Sequence, residues 1–332
     1  VGQWESGTLP FIDNFVNILI VEQADAVSRE EVLRVLVPEG TAFIGSEVLV
    51  KPRPETMDDW PMQLYDASGN AVSKDKALQP PLQHMQWVGG PRWSRHHDKM
   101  SSVSACVSGD GKVFYIFDEG STYSPYLPCH WKLIARDAFN GVVLWKQPID
   151  KWIGNLYGLK SGPATLPRRL VVAGKQVCVT LGIDAPVSVL SSDTGEILKT
   201  IAGTEGTEEI IYEDGFLYIV ADTNEQKDEF QNGPRMNYPR GRWIRREKQV
   251  LCCDINQGEV LWSRSFDWVA PSTLTTSRGK VYFYDGTQVV ALSRDDGSDL
   301  WKSGELPAWK EMATYYAPKL IVQGGVGMFV GG

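Results

Sequence analysis

The sequence predicts a mainly β chain built as a β-propeller, and three repeated features predict it. A short phrase recurs four times: DAFNGVVLW (residues 137–145), SDTGEILKT (192–200), DINQGEVLW (254–262) and RDDGSDLWK (294–302). A β-type run leads into each copy: KLIAR (132–136), PVSVL (186–190), QVLCC (249–253) and QVVAL (288–292). A second strand signal precedes each run: GKVFYIFD (111–118), KQVCVTLG (175–182), GFLYIVAD (215–222) and GKVYFYDG (279–286). The glycines of the phrase are Gly141, Gly195, Gly258 and Gly297, spaced 54, 63 and 39 residues apart. Self-similarity at a period near 40 is the mark of a repeat architecture.

The chemistry of one unit follows from its residue types. Asp137, Asp193, Asp254 and Asp295 are read as capping turn amides, and the glycine takes the positive-φ position of a three- to five-residue hairpin turn. The strand after the turn ends on Trp145, Trp262 or Trp301, a large flat side chain suited to packing between neighbouring sheets. One sheet of about four strands per unit, repeated radially, is a propeller blade. Four to five blades are visible, and a stacked β-sandwich is the alternative architecture.

These residues carry a resemblance. The pattern of strand, Asp-x-x-x-Gly, apolar strand and Trp resembles the tryptophan-docked repeat of quinoprotein (PQQ-like) propellers, from about Leu78 to the C-terminus. The resemblance implies a quinoprotein alcohol dehydrogenase-like fold, and with it PQQ and calcium as the cofactor set of an enzyme of that kind. Such enzymes carry a vicinal disulfide against the quinone. Here Cys252-Cys253 falls inside the repeat, where alternate strand faces separate the two side chains. That removes one recognisable cofactor contact.

Residues 1–50 are read as a separate α/β segment. VNILIVE (16–22) is a strand, SREEVLRVL (28–36) a helix with Ser28 as N-cap and Glu31 in the capping-box position, and TAFIG (41–45) the next strand. Pro38-Glu39-Gly40 is expected to stop the helix. The run EEVLRVLVPEGTAFI (30–44) resembles the late β-α-β stretch of class I S-adenosylmethionine-dependent methyltransferases, a Rossmann-like module. That family places its Gly-rich cofactor loop on an earlier strand, and residues 1–9 offer only Gly2 and Gly7. The segment is therefore expected to be truncated or vestigial and not to bind the cofactor alone. The chain opens on Val1 and closes on GVGMFVGG, read as a strand opening a fifth blade, so residues are expected to be missing at both ends.

Residues 51–80, rich in Pro and Asp, are read as an extended linker wrapping a neighbour, with Trp60, Met62 and Tyr65 as anchors. Residues 81–332 hold the repeats. The order SREEVLRVLVPEG, KPRP, DASGNAVSKD, QWVGGPRWSRHHDKM, FYIFDEG and ARDAFNGVVLWK resembles bacterial fusion proteins that join a methyltransferase-like module to a PQQ-like propeller. This likeness spans nearly the whole chain and implies architecture more than activity.

The densest polar cluster, PRWSRHHDKM (91–100), offers Arg92, Arg95, His96, His97 and Asp98 as candidate ligand-binding residues. Imidazoles beside a carboxylate suit metal or acid-base chemistry. Adjacent histidines on a strand point to opposite faces, however, and Arg and His pairing with carboxylates on a loop is the plainer reading. Cys129-His130 is a further candidate contributor. The insertion 222–248 interleaves Arg235, Arg240, Arg242, Arg245, Arg246 and Lys248 with Tyr238 and Trp243, a mixture compatible with polyanions but also with a solvated loop. A second insertion, 149–169, carries Trp152 and Tyr157 as packing residues. Asp118, Glu119 and Asp184 sit at strand ends, and nothing in their spacing pairs them into an acid-base couple.

The net charge of −8 and pI near 5.2 argue against nucleic acid or an anionic membrane as partner, and no apolar run approaches bilayer length. Five cysteines without a CxxC pair leave the compartment open; a periplasmic or other extracytoplasmic setting is the expectation. The function expected first is a propeller that binds a protein or small molecule at its funnel. A PQQ- and calcium-dependent dehydrogenase is second, and a methyltransferase whose cofactor loop lies upstream is third.

Overall fold

A computed structural model describes residues 7–23, 25–78, 81–82, 84–90, 103–124, 127–152, 164–222, 245–306 and 317–331. The chain begins with β1 (Val16–Val21), α1 (Arg29–Val35), β2 (Leu36–Ile44) and β3 (Glu47–Val50), paired in the order β1-β2-β3. β1 and β2 are parallel and β3 is antiparallel. The Ser28 hydroxyl caps α1 by accepting from the Glu31 amide at 3.2 Å, while the Glu31 carboxylate binds Arg34 and the Leu9 amide instead of closing the box.

The helix stops at Val35 and runs straight into β2, so Pro38-Glu39-Gly40 lies inside a strand rather than in a turn. Its place is visible as a bulge: Val16 pairs with Leu36, but Ile18 pairs with Thr41, and Glu39 takes φ +67°. Proline pushes the preceding residue extended, and pairing with β1 uses that geometry. The β-α-β order is present. A doubly wound Rossmann-like sheet is not formed among the described residues, where α1 covers one face and Ile18, Ile20 and Val48 stay exposed on strands of the same sheet.

The repeats form antiparallel sheets in simple up-and-down order. The first blade is β4 (Val103–Gly109), β5 (Lys112–Asp118), β6 (Trp131–Asp137) and β7 (Val143–Pro148). The second is β8 (Leu170–Ala173), β9 (Gln176–Thr180), β10 (Val187–Ser191) and β11 (Ile197–Ile201). The third is β12 (Thr207–Glu213), β13 (Phe216–Ala221), β14 (Lys248–Asp254) and β15 (Glu259–Phe266). The fourth is β16 (Thr275–Ser277), β17 (Lys280–Tyr284), β18 (Val289–Ser293) and β19 (Asp299–Lys302). A two-stranded sheet follows, β20 (Lys319–Gln323) and β21 (Val326–Val330). The first strands of successive sheets adjoin, so they line a common axis. The array is a mainly β, unclosed set of propeller blades. Its core lies between blades, where Val189, Ile219, Leu251 and Phe283 are buried.

Indole rings join one blade to the next. Trp145 donates from Nε1 to the Ser192 carbonyl at 2.8 Å, and Trp262 to that of Arg294 at 2.6 Å. Each ring lies so close over the glycine of the following turn, Gly195 or Gly297, that a Cβ there would stand 2.5 or 2.7 Å from it. Trp87 does the same for Gly141 and bonds the Ala138 carbonyl at 2.8 Å, a partner the repeat pattern did not reveal because it precedes the first copy. Lys199 takes this place over Gly258. Trp301 is 44% exposed and packs on Tyr282.

The turns depart from the expected capping in two copies. Asp137 accepts from the amides of Phe139 and Asn140, and Asp254 from those of Asn256 and Gln257. In the second and fourth copies the same position is Ser191 and Ser293, which accept from Thr194 and Asp295. Asp193 and Asp295 stand two residues further on, exposed, beside Lys112 and Arg294. A serine oxygen caps a turn amide as an aspartate oxygen does.

Residues 51–78 form no helix or strand but are not a loose linker. Met62, Tyr65 and Ala67 are buried, and Trp60 meets Tyr65 edge-to-face at 5.4 Å. Asp58 organises the segment, accepting from the Tyr65 hydroxyl and the Lys74 amide, both at 2.7 Å, and from the Asp59 amide at 2.9 Å. Burial opposes its ionisation, but these bonds outweigh burial and hold the carboxyl below its ordinary value. Asp75 is lowered too, by the amides of Leu78 and Asp58. A depressed folded pKa stabilises the fold fully above the unfolded value, about pH 4, and that stability is lost as pH falls through the folded value. Acid titration followed by near-UV circular dichroism is expected to show a transition below about pH 4 that Asp58→Asn diminishes. An unchanged transition in the variant would refute this role.

Candidate functional site on the long-loop face

Up-and-down order puts the short turns of every blade on one face and the longer connections on the other. The long-loop face gathers buried charge. It is built around a single 3-10 turn, Leu166–Arg169, whose Pro167 presets the backbone just ahead of β8. Arg168 is 5% and Glu209 1% exposed; Nε and Oε2 approach to 3.1 Å without the alignment of a hydrogen bond, so their attraction is chiefly Coulombic. Arg168 also donates to the Leu274 carbonyl at 2.8 Å, and Glu209 accepts from the Ser272 amide. One ion pair therefore ties the second, third and fourth blades together at the axis. Burial pushes the Glu209 carboxyl above its ordinary value, against the pull of Arg168 and Ser272. Burial also lowers Lys319, and Arg168 adds to that effect.

Arg169 donates to the Ile183 carbonyl at 2.7 Å and lies 5.7 Å over the ring of Trp152. Burial draws its pKa down to about 10, against the pull of Glu208, Asp184 and Asp222. Lys248 bridges Asp222 at 2.6 Å and Glu208 at 3.0 Å, fixing the start of β14. Arg245 stacks over Trp268 at 4.7 Å. At the next loop Asp118 accepts from the amides of Gly120 and His130, and Glu119 pairs with Lys146 and Lys132. Burial opposes the ionisation of Glu119, and the two lysines outweigh it.

Several sequence candidates can be placed. Cys252 and Cys253 are buried free thiols in consecutive positions of β14, opposite Tyr218 and Leu217. His130 contributes its main-chain amide, and Cys129 packs beside the core of the first two blades. Trp152 is buried and donates to Ser104 at 3.1 Å. Arg92, Arg95, His96, His97 and Asp98 lie outside the described residues, as do Tyr157, Arg235, Tyr238, Arg240, Arg242 and Trp243. Sequence reasoning missed Arg168 and Glu209; the only local signal is a charge beside an apolar run, which is common.

A calcium-bound quinone needs carboxylate and amide oxygens converging on a hard cation. The oxygens of Glu208, Glu209 and Asp222 are committed instead to Lys248, Arg168 and Ser272, so this donor set does not fit such a group. Among the described residues there is no group of three or more His, Cys, Asp or Glu set to hold a metal, and no helix is long and apolar enough to cross a membrane.

A PQQ-repeat family model, described as outer membrane protein assembly factor BamB, matches residues 226–326. No curated protein matches the chain. Among solved structures it is similar to BamB from Moraxella catarrhalis, with 16% identity, TM-score 0.39 and coverage of 68% of this chain and 59% of that one. It is also similar to the quinohemoprotein alcohol dehydrogenase ADHIIG from Pseudomonas putida HK5, with 13% identity, TM-score 0.45 and coverage of 82% and 44%. A third likeness is to quinohemoprotein alcohol dehydrogenase from Comamonas testosteroni, with 13% identity, TM-score 0.45 and coverage of 82% and 45%. The chain thus spans about half the length of these structures. Similarity at this level says nothing about activity. Nothing in the described N-terminal sheet or in these comparisons shows a methyltransferase-like module. The blade geometry and the family match together support a PQQ-like β-propeller.

Proposed function

We propose that this chain is a binding or scaffold β-propeller of the PQQ-like, tryptophan-docked repeat type, receiving a protein partner on its long-loop face. The observation that carries this reading is the buried ion network. Arg168, Glu209 and Lys248 are engaged in holding blades and loops in place, which makes a rigid platform rather than an acid-base couple. A buried pair adds little net stability over an apolar pair, and in this chain its role is to fix a single arrangement of the blades. The family match, described as an assembly factor, agrees with a role in protein contact.

A titration with PQQ and calcium, followed through quenching of tryptophan fluorescence, tests the reading. No saturable quenching is expected at tens of micromolar (~5 × 10⁻⁵ M, about −6 kcal/mol). Saturable, calcium-dependent quenching would overturn it in favour of a PQQ- and calcium-dependent dehydrogenase. A photo-crosslinker at Tyr123, 96% exposed on the long-loop face, is expected to capture a protein in cells, whereas one at Asp193 on the turn face is not.

A further inference from the structure

The first strand of every blade is an edge strand facing the axis, and edge amides need partners. At the turn-face end of the first, second and fourth blades and of the β20–β21 sheet, those partners come from one segment of the same chain. The Ser108 amide donates to the Trp60 carbonyl and the Val172 amide to that of Pro61, each at 2.8 Å. The Thr276 amide donates to the Ala67 carbonyl at 2.8 Å and the Val322 amide to that of Ser68 at 2.9 Å. Ser108, Val172, Thr276 and Val322 hold one equivalent position, each directly before the residue that closes the first hairpin of its sheet. Two dipeptides thus satisfy four sheets. Trp60-Pro61 serves the first and second blades, and Ala67-Ser68 serves the fourth and the β20–β21 sheet.

Between the two arms the chain reverses. The Tyr65 amide returns to the Met62 carbonyl at 2.9 Å, and Tyr65 itself adopts φ +69°. Met62 and Ala67 are buried in the core cluster that includes Ile210 and Ile211 of the third blade. Gly69 sits at φ +73° with the Leu320 carbonyl only 2.7 Å from where a Cβ would be, so the second arm ends on a residue without a side chain.

We propose that the turn-face end of the axis is a peptide-binding site, and that residues 58–70 are its resident ligand, supplied in cis. Main-chain capture at sheet edges provides the affinity, and side-chain pockets provide the selection. The ligand class is an extended peptide that turns back on itself, with an apolar Trp-Pro-Met arm and a small-residue Ala-Ser-Gly arm. The Asn17 side chain donates to Asp137 at 2.6 Å, a separate anchor of the N-terminal strands on the same face.

The test uses the full chain with a protease site inserted after Leu78, which is 68% exposed. After cutting, excess fluorescein-labelled synthetic peptide of residues 56–72 is added at micromolar concentration. The labelled peptide is expected to enter one-to-one and to co-elute with the large fragment on gel filtration. A peptide carrying Met62→Asp is expected not to enter. Cut protein with Asn17→Ala is expected to take up the wild-type peptide at least as well. Failure of the wild-type peptide to enter even the cut Asn17→Ala protein, whose resident fragment has lost its separate anchor, or equal uptake of the Met62→Asp peptide, overturns the proposal.

Discussion

Glu209→Leu is expected to lower unfolding stability by about 3–5 kcal/mol, the cost of leaving a buried charge uncompensated. Arg168 is 5% exposed, and besides Glu209 its hydrogen bond is to the Leu274 carbonyl, so the variant strands a guanidinium at the axis. The Ser272 amide loses its acceptor as well. Arg168→Met is expected to be similarly costly, because Glu209 then remains buried without its cation. The double variant is expected to recover most of the loss, since two apolar side chains replace two desolvated charges. Urea unfolding of the two single variants and the double measures the coupling. Additive losses would show that the pair does not act as a unit.

The second large effect is expected at a blade junction. Gly195→Ala asks a residue at φ +72° to carry a Cβ, which costs about 1–2 kcal/mol in the left-handed region. The Cβ would also stand 2.5 Å from Cε3 of Trp145, so the indole must shift, and overpacking costs about 1–3 kcal/mol more. The total expected is about 2–5 kcal/mol. The shift also pulls Trp145 Nε1 away from the Ser192 carbonyl. Gly174→Ala is the control: its φ is +59°, but nothing lies within 4 Å of the added atom, so only the backbone cost is expected. Thermal unfolding of both variants decides the point, and equal losses would remove the indole from the account.

Both predictions start from features that differ in how far the sequence revealed them. The glycine turns, with Trp145 and Trp262, were legible because each is a local event; Trp301, read the same way, instead stays half-exposed on Tyr282 of its own blade. A residue at positive φ and a strand on either side lie within about ten positions in all four copies, and three of the copies add a flat ring at the end of the second strand. The identity of the capping atom was less legible. Asp193 and Asp295 look like caps by type, but Ser191 and Ser293 occupy the position from which an oxygen reaches the turn amides. The span of α1 was legible, but the role of the residues after it was not: Pro38 and Gly40 resemble a turn that stops the helix, whereas strand pairing with β1 drew them into β2 as a bulge.

The sequence by itself determined the local alphabet of this protein: which runs become strands, where each hairpin turns, and that one short unit is repeated. Strand propensity, turn chemistry and period are properties of neighbours along the chain, and they leave marks at short range. Only the tertiary structure decided what meets at the axis. Arg168 reaches Glu209 across 41 positions, and Ser68 reaches Val322 across 254, because blades that adjoin in space bring their first strands together. No local preference encodes such pairs. They arise when edge amides and buried charges, desolvated by the packing of the blades, must find partners wherever the fold has placed them.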